Sequence, residues 1–187
     1  MEPVELFDRS CMEFDRRVAM IQPDHWSHFT PCSEWDVRAL VNHVTVEDLW
    51  VPPLLSGSTI DEVGDRFDGD QLGDDPAAAW REAMEAARDA ARSLDSVDRI
   101  VHISAGDVPA HQYLVEVGAD NLIHSWDLAI AVGDDPTLDP ELVDAVAEWF
   151  ADHEAQFRSW GVIADRQPVA DDADPQTRLL AGYGRKA

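Results

Sequence analysis

Asp120 and His124 stand four residues apart in the segment GADNLIHSWDLAIAVG, which runs from Gly118 to Gly133. On an α-helix that spacing puts both side chains on one face, with Cβ atoms roughly 5–6 Å apart, so one metal ion can join the carboxylate to the imidazole. Asp127 follows His124 by three residues on much the same face, where a carboxylate either orients an imidazole or meets solvent. Leu122, Ile123, Trp126, Leu128, Ala129 and Ile130 run between these polar positions. A helix so apolar must be largely buried, and its carboxylate and imidazole then need partners. A metal ion is one such partner; a hydrogen-bonded structural pair is the other reading of the same spacing. A second stretch, TPCSEWDVRALVNHVTV from Thr30 to Val46, carries His43 late in an amphipathic pattern, with Glu47 one turn beyond it.

The elements that must position these groups read as helices. Val4, Phe7, Cys11, Phe14, Val18 and Ile21 recur at spacings of three and four, a pattern that predicts an amphipathic helix ended by Pro23. A second helix opens at Ser33, with Asp36 three residues on in an arrangement close to a capping box. His43 falls at the edge of its apolar stripe, and Pro52 and Pro53 are expected to stop the helix or bend it sharply. The Gly-, Asp- and Ser-rich stretch from Ser56 to Pro76 is a long connection, able to cross the end of a bundle so that two successive helices run parallel. Its acidic run, Asp61, Asp65, Asp68 and Asp70, lacks the spacing of a calcium loop and reads as solvated charge.

A third helix spans Pro76 to Leu94, with Asp74 and Asp75 as caps. Arg99 to Ser104 alternates and is β-branched, as an isolated strand or extended loop would be, and Ala105 to Pro109 forms a turn. The central helix enters at Ala110 and ends at Val132 with Gly133 as its C-cap signal. Asp139 caps a helix over Pro140 to Phe157, and Asp174 with Pro175 starts a short one. The expectation is a single all-α domain over residues 1–187, with minor extended structure.

Composition narrows the partners. Acidic residues number 38 against 14 basic ones, a formal net charge of −24. That surface repels phosphate backbones and anionic headgroups, which argues against nucleic-acid or membrane binding. Met1 to Ile21 carries acidic residues where a secretory signal needs a basic start and an apolar run, so a cytoplasmic location with Cys11 and Cys32 reduced is expected. Cys32 reads as a buried structural thiol, although a helix N-terminus beside it can lower a thiol pKa. His25 and His28 lie in a loop, as metal ligands or as surface and packing groups. His102 and His111 flank the turn before the central helix and could line a pocket mouth. Arg178 and Arg185 could pair with the acidic surface or bind an anionic substrate.

Three separated motifs, TPCSEWDVRALVNHV, DNLIHSWDLAIAVG and DPQTRLLAGYGR, together resemble the DinB/YfiT-like metal-binding superfamily. Within it they are most similar to the actinobacterial branch containing the N-terminal domain of mycothiol-dependent maleylpyruvate isomerase. The resemblance implies a four-helix bundle with a long crossover. It also implies a divalent metal, zinc or else nickel, held by His43, Asp120 and His124, with Asp120 standing where the isomerase has Glu. Two neutral imidazoles and one carboxylate leave open coordination positions, as catalytic zinc requires. The resemblance therefore suggests an enzyme acting on a small electrophile with a thiol such as mycothiol or bacillithiol, by transfer or isomerisation. A non-catalytic ligand-binding or stress-response module and a metal-water hydrolase are the alternatives, and pairing of two copies stays open.

Overall fold

The computed structural model describes residues 1–32 and 35–187. Among these, seven helices and one two-stranded hairpin make up the regular structure: α1 (Pro3–Val18), α2 (Val37–Leu55), α3 (Ile60–Val63), α4 (Pro76–Arg92), β1 (Ile100–Ile103), β2 (Gly106–Pro109), α5 (Ala110–Val132), α6 (Pro140–Trp160) and α7 (Pro175–Gly182). The fold is thus mostly helical, as the periodicity requires.

Capping chemistry sets most of the helix starts. Asp75, Asp139 and Asp174 each accept hydrogen bonds from backbone N–H groups of the first turn of α4, α6 and α7, and each is followed by Pro. The start of α2 differs from the sequence reading. Asp36 is its N-cap, accepting from the Ala39 N–H, while Ser33 lies outside the described residues. Pro52 and Pro53 neither end nor break α2, which continues to Leu55. They fall in its last turn and a half, where each removes one N–H bond to the preceding turn, and Val51, Leu54 and Leu55 are buried. Burial of side chains of that size stabilises by roughly 1.5–3 kcal/mol each, enough to hold the final turn against the core.

Ion pairs between helices reveal their directions. Asp8 meets Arg88 and Asp15 meets the Trp80 indole, so α1 and α4 run antiparallel. Arg17, at the end of α1, meets Asp134 just past the end of α5, so these two run parallel. The Ser56–Pro76 connection returns along α2: Asn42 donates to the Gly69 carbonyl, and Arg38 reaches Asp70 and the Gly73 carbonyl. This return sets α2 and α4 parallel, the crossover that the long connection suggested, and α3 is a single capped turn within it.

Helix α5 is buried along most of its length because it serves two cores. Leu114, Val117 and Leu128 pack with α1, α2 and α4, while Leu122, Ile123 and Trp126 pack with α6 and α7. Gly118 permits the closest approach: a Cβ there would lie 2.6 Å from Leu6 Cδ2 and 3.2 Å from the Phe7 Cα. Gly133 ends α5 at φ 73°, a left-handed conformation that favours glycine.

The segment expected as a lone strand and a turn is instead an antiparallel hairpin, β1 pairing with β2 from Ile100↔Pro109 to Ile103↔Gly106. Gly106 supplies the positive φ after the Ser104-Ala105 corner, a pairing that a single β-branched run does not announce.

Candidate metal centre

His43 on α2 faces Asp120 and His124 on α5. The His43 Nε2 lies 3.1 Å from Asp120 Oδ2, and the His124 Nε2 lies 3.4 Å from Asp120 Oδ1. One ligand atom from each of the three falls within 4.8 Å of the others, a spacing that could hold a metal ion. The donor set fits a divalent ion of the zinc type, two imidazole nitrogens and a carboxylate oxygen.

His124 is held from behind. Its Nδ1–H donates to Asp127 Oδ2 at 2.9 Å, which leaves Nε2 facing Asp120 and His43. Asp127 is fully buried, and Arg185 clamps it through Nη2 to Oδ2 at 2.6 Å and Nε to Oδ1 at 3.1 Å. Asp127 is thus the carboxylate that orients an imidazole, and Arg185 pairs with it. Such a partner fixes which nitrogen of a histidine is offered to a metal. Trp35 closes another side, its ring 4.5 Å from the His43 ring and 5.6 Å from that of His124.

Charges are strongly coupled here. Burial would lower the His124 pKa, but the carboxylates of Asp120 and Asp127 outweigh it and raise it to about 9. Burial would raise that of Asp120, yet the two imidazoles hold its carboxyl well below the usual range. The Asp120 side chain, 34% exposed, is thus held ionised by His43 and His124.

The three residues form part of the wall of a cavity of about 580 Å³, large enough for a small organic molecule. Cys32 lines it, half-buried rather than buried as expected, with Arg185 nearby. The hairpin reaches the cavity through Ile103, Ser104 and Ala105, while His102 turns to Asp107 at 2.7 Å and His111 to the Val97 carbonyl at 3.3 Å. His28 bonds the Ala131 carbonyl, its ring 4.9 Å from that of His25, and Arg178 donates to the Asp171 carbonyl. The C-terminal end of α6, with Tyr183 and Arg185 after α7, forms the remaining side.

Glu47 and Glu116 also line the cavity, and Glu116 was not singled out from the sequence. Its signal was present: Glu116, Asp120 and His124 recur every four residues, and His43 and Glu47 do the same on α2. Burial foremost, with the charge of Asp120 adding, raises the Glu47 pKa to about 7, and burial raises that of Glu116.

A crossover bundle whose paired helices bring two imidazoles and a carboxylate to a cavity wall is the architecture of DinB-like helical proteins. The chain belongs to the mycothiol maleylpyruvate isomerase N-terminal domain family, whose model matches residues 7–129. Two uncharacterized proteins of Mycobacterium tuberculosis, from strains CDC 1551 and H37Rv, are each 30% identical to it over 187 residues, covering 99% of this chain and 98% of theirs. The crystal structure of the mycothiol-dependent maleylpyruvate isomerase superposes with a TM-score of 0.64 at 15% identity, and that of a point mutant with 0.66 at 14%. Each alignment covers 88% of this chain and 72% of the isomerase. Among the described residues, no helix is long and apolar enough to cross a membrane.

Proposed function

We propose that His43, Asp120 and His124 hold a divalent metal, zinc or else nickel, and that the protein uses a low-molecular-weight thiol of the mycothiol or bacillithiol type to transfer or isomerise a small electrophile. The observation that carries this reading is the convergence of the three donor side chains from two helices on the wall of a cavity of about 580 Å³. A divalent ion in such a site supplies Lewis acidity, lowering the pKa of a thiol or water that binds it. The rest falls to the chain's own residues. Asp127 and Arg185 keep the His124 Nε2 turned toward the donor cluster. Trp35 lies against both imidazoles, its ring tilted to each. The mycothiol-dependent isomerase, whose fold this chain shares, supports the choice of thiol.

The test is a turnover assay of zinc-reconstituted protein with 1-chloro-2,4-dinitrobenzene and related electrophiles, with and without mycothiol or bacillithiol. The reading expects consumption above the uncatalysed rate that needs both metal and thiol. Turnover without thiol would replace it with hydrolysis, and binding without turnover would leave a ligand-binding module.

A further inference from the structure

The helix directions place Glu47 and Glu116 together. Helix α2 runs antiparallel to α5: at its start the Val37 N–H donates to the His28 carbonyl and the His28 ring bonds the Ala131 carbonyl near the end of α5, while at its end the Leu55 carbonyl accepts from Arg99, whose own carbonyl accepts from the Ala110 N–H at the start of α5. One turn on from His43 is Glu47, and one turn back from Asp120 is Glu116, so both lie about 5.4 Å further along the cavity from the donor cluster. Among the described residues, neither carboxylate has a hydrogen-bond or ion-pair partner. Arg185 is the only Arg or Lys among the described residues lining the cavity, and Asp127 engages it through two bonds. The cavity thus places two half-buried carboxylates beside Asp120 that no side chain pairs directly: His43 and His124 act on Glu47, and His153 on Glu116, only through space.

Next along the same helices come Trp50 and Tyr113, which also line the cavity. Tyr113 is 5% exposed and Tyr183 7%, and the hydroxyl of each is buried without a hydrogen-bond partner. The chamber is therefore a built one, with a donor cluster at one position, two carboxylates without a hydrogen-bond partner a turn away, and aromatic rings beyond them. Aromatic faces attract cations and carboxylates pair with them, while an anion would meet repulsion from Glu47 and Glu116.

We propose that the cavity selects a substrate with a cationic nitrogen on an apolar or aromatic body, an organic ammonium or amidinium ion, seated between Glu47 and Glu116 with its body against Trp50 and Tyr113. The proposal rests on the reading of this cavity as the substrate chamber and names the class of molecule it takes. The ammonium group supplies the directly bonded partner both carboxylates lack, and the reactive end of the molecule extends back one helical turn toward His43, Asp120 and His124.

The test is isothermal titration of the full-length protein, metal-free and zinc-loaded, with 2-phenylethylammonium, its uncharged analogue 2-phenylethanol and the anion 3-phenylpropanoate. The expected result is ammonium binding at least tenfold tighter than the alcohol, with the carboxylate weakest. Glu116→Gln and Glu47→Gln should each erase most of that preference while leaving the alcohol's affinity within about twofold, which also reports that the variants fold. Equal affinity for ammonium and alcohol, preference for the carboxylate, or no ammonium binding at millimolar concentration would overturn the proposal. A charge preference that persists in protein unable to take up zinc would uphold it while rejecting the metal-dependent reading.

Discussion

Arg185, two residues before Ala187, clamps Asp127 across 58 residues of sequence with bonds of 2.6 and 3.1 Å, and Asp127 in turn fixes the imidazole of His124. The tail thereby reaches the donor cluster without touching it. Asp127 is fully buried and the Arg185 side chain only 12% exposed, so neither charge has water to fall back on.

Arg185→Ala should therefore destabilise the fold by about 3–5 kcal/mol, because Asp127 would remain buried and half-paired. Chemical denaturation at neutral pH measures it. Arg185→Lys should recover only part of the loss, since an ammonium cannot make the two-pronged bond. A loss below about 1 kcal/mol in the alanine variant would show that the clamp is dispensable.

Asp127→Asn tests orientation rather than charge balance alone. Loss of the carboxylate behind His124 should weaken zinc binding about 10- to 100-fold, the usual effect of removing such a partner. Competition with a chromogenic chelator reads this directly, and unchanged affinity would mean that packing alone holds the ring.

How the sequence reading fared depends on the range of each interaction. Asp120 and His124 were legible because they share one helix, and His43 because its helix has a clear apolar stripe and a recognisable motif around it. The Asp caps at residues 75, 139 and 174 were legible because capping is local. The Asp127–Arg185 clamp was not, since an arginine so far along the chain has many acidic candidates on a surface of net charge −24. The prolines at 52 and 53 do not stop α2, because tertiary burial of Leu54 and Leu55 outweighs the local cost of proline. The hairpin was half-seen, its second strand Gly-Asp-Val-Pro carrying no strand signature of its own.

A pH-dependent stability should originate at Asp48. It is fully buried on α2, accepting from the Asn121 amide at 3.2 Å with the Cys11 thiol at 3.8 Å, and burial raises its pKa to about 7 against those bonds. The native state then holds this proton more tightly than the unfolded chain does, whose Asp titrates near 3.8. Stability should fall as pH rises from about 4 to 7 and then level off. A shift of about three pKa units sets a ceiling of about 4 kcal/mol on the effect. Asp48→Asn should gain about 1–4 kcal/mol over the wild type at pH 8 and little at pH 4. Some slope will remain from Glu47, which titrates in the same window. An Asn variant less stable than wild type at both pH values would show that the ionised Asp48 is favourably held.

Gly118→Ala probes the packing that brings α5 against α1. The added methyl would lie 2.6 Å from Leu6 Cδ2 and 3.2 Å from the Phe7 backbone, and backbone cannot rotate aside. The clash should outweigh the better helix propensity of Ala and destabilise by about 1–2 kcal/mol in thermal unfolding. An unchanged or higher melting temperature would mean the two helices separate at little cost.

The central claim is that His43, Asp120 and His124 together bind one metal ion. Elemental analysis of protein prepared without a metal-binding affinity tag, compared with His43→Ala and His124→Ala, tests it most directly. The account predicts about one equivalent of zinc or nickel per chain in the wild type and loss of that metal in both variants, with their helical content retained. Wild-type protein that takes up no metal even after supplementation, or variants that retain full stoichiometry, would contradict it.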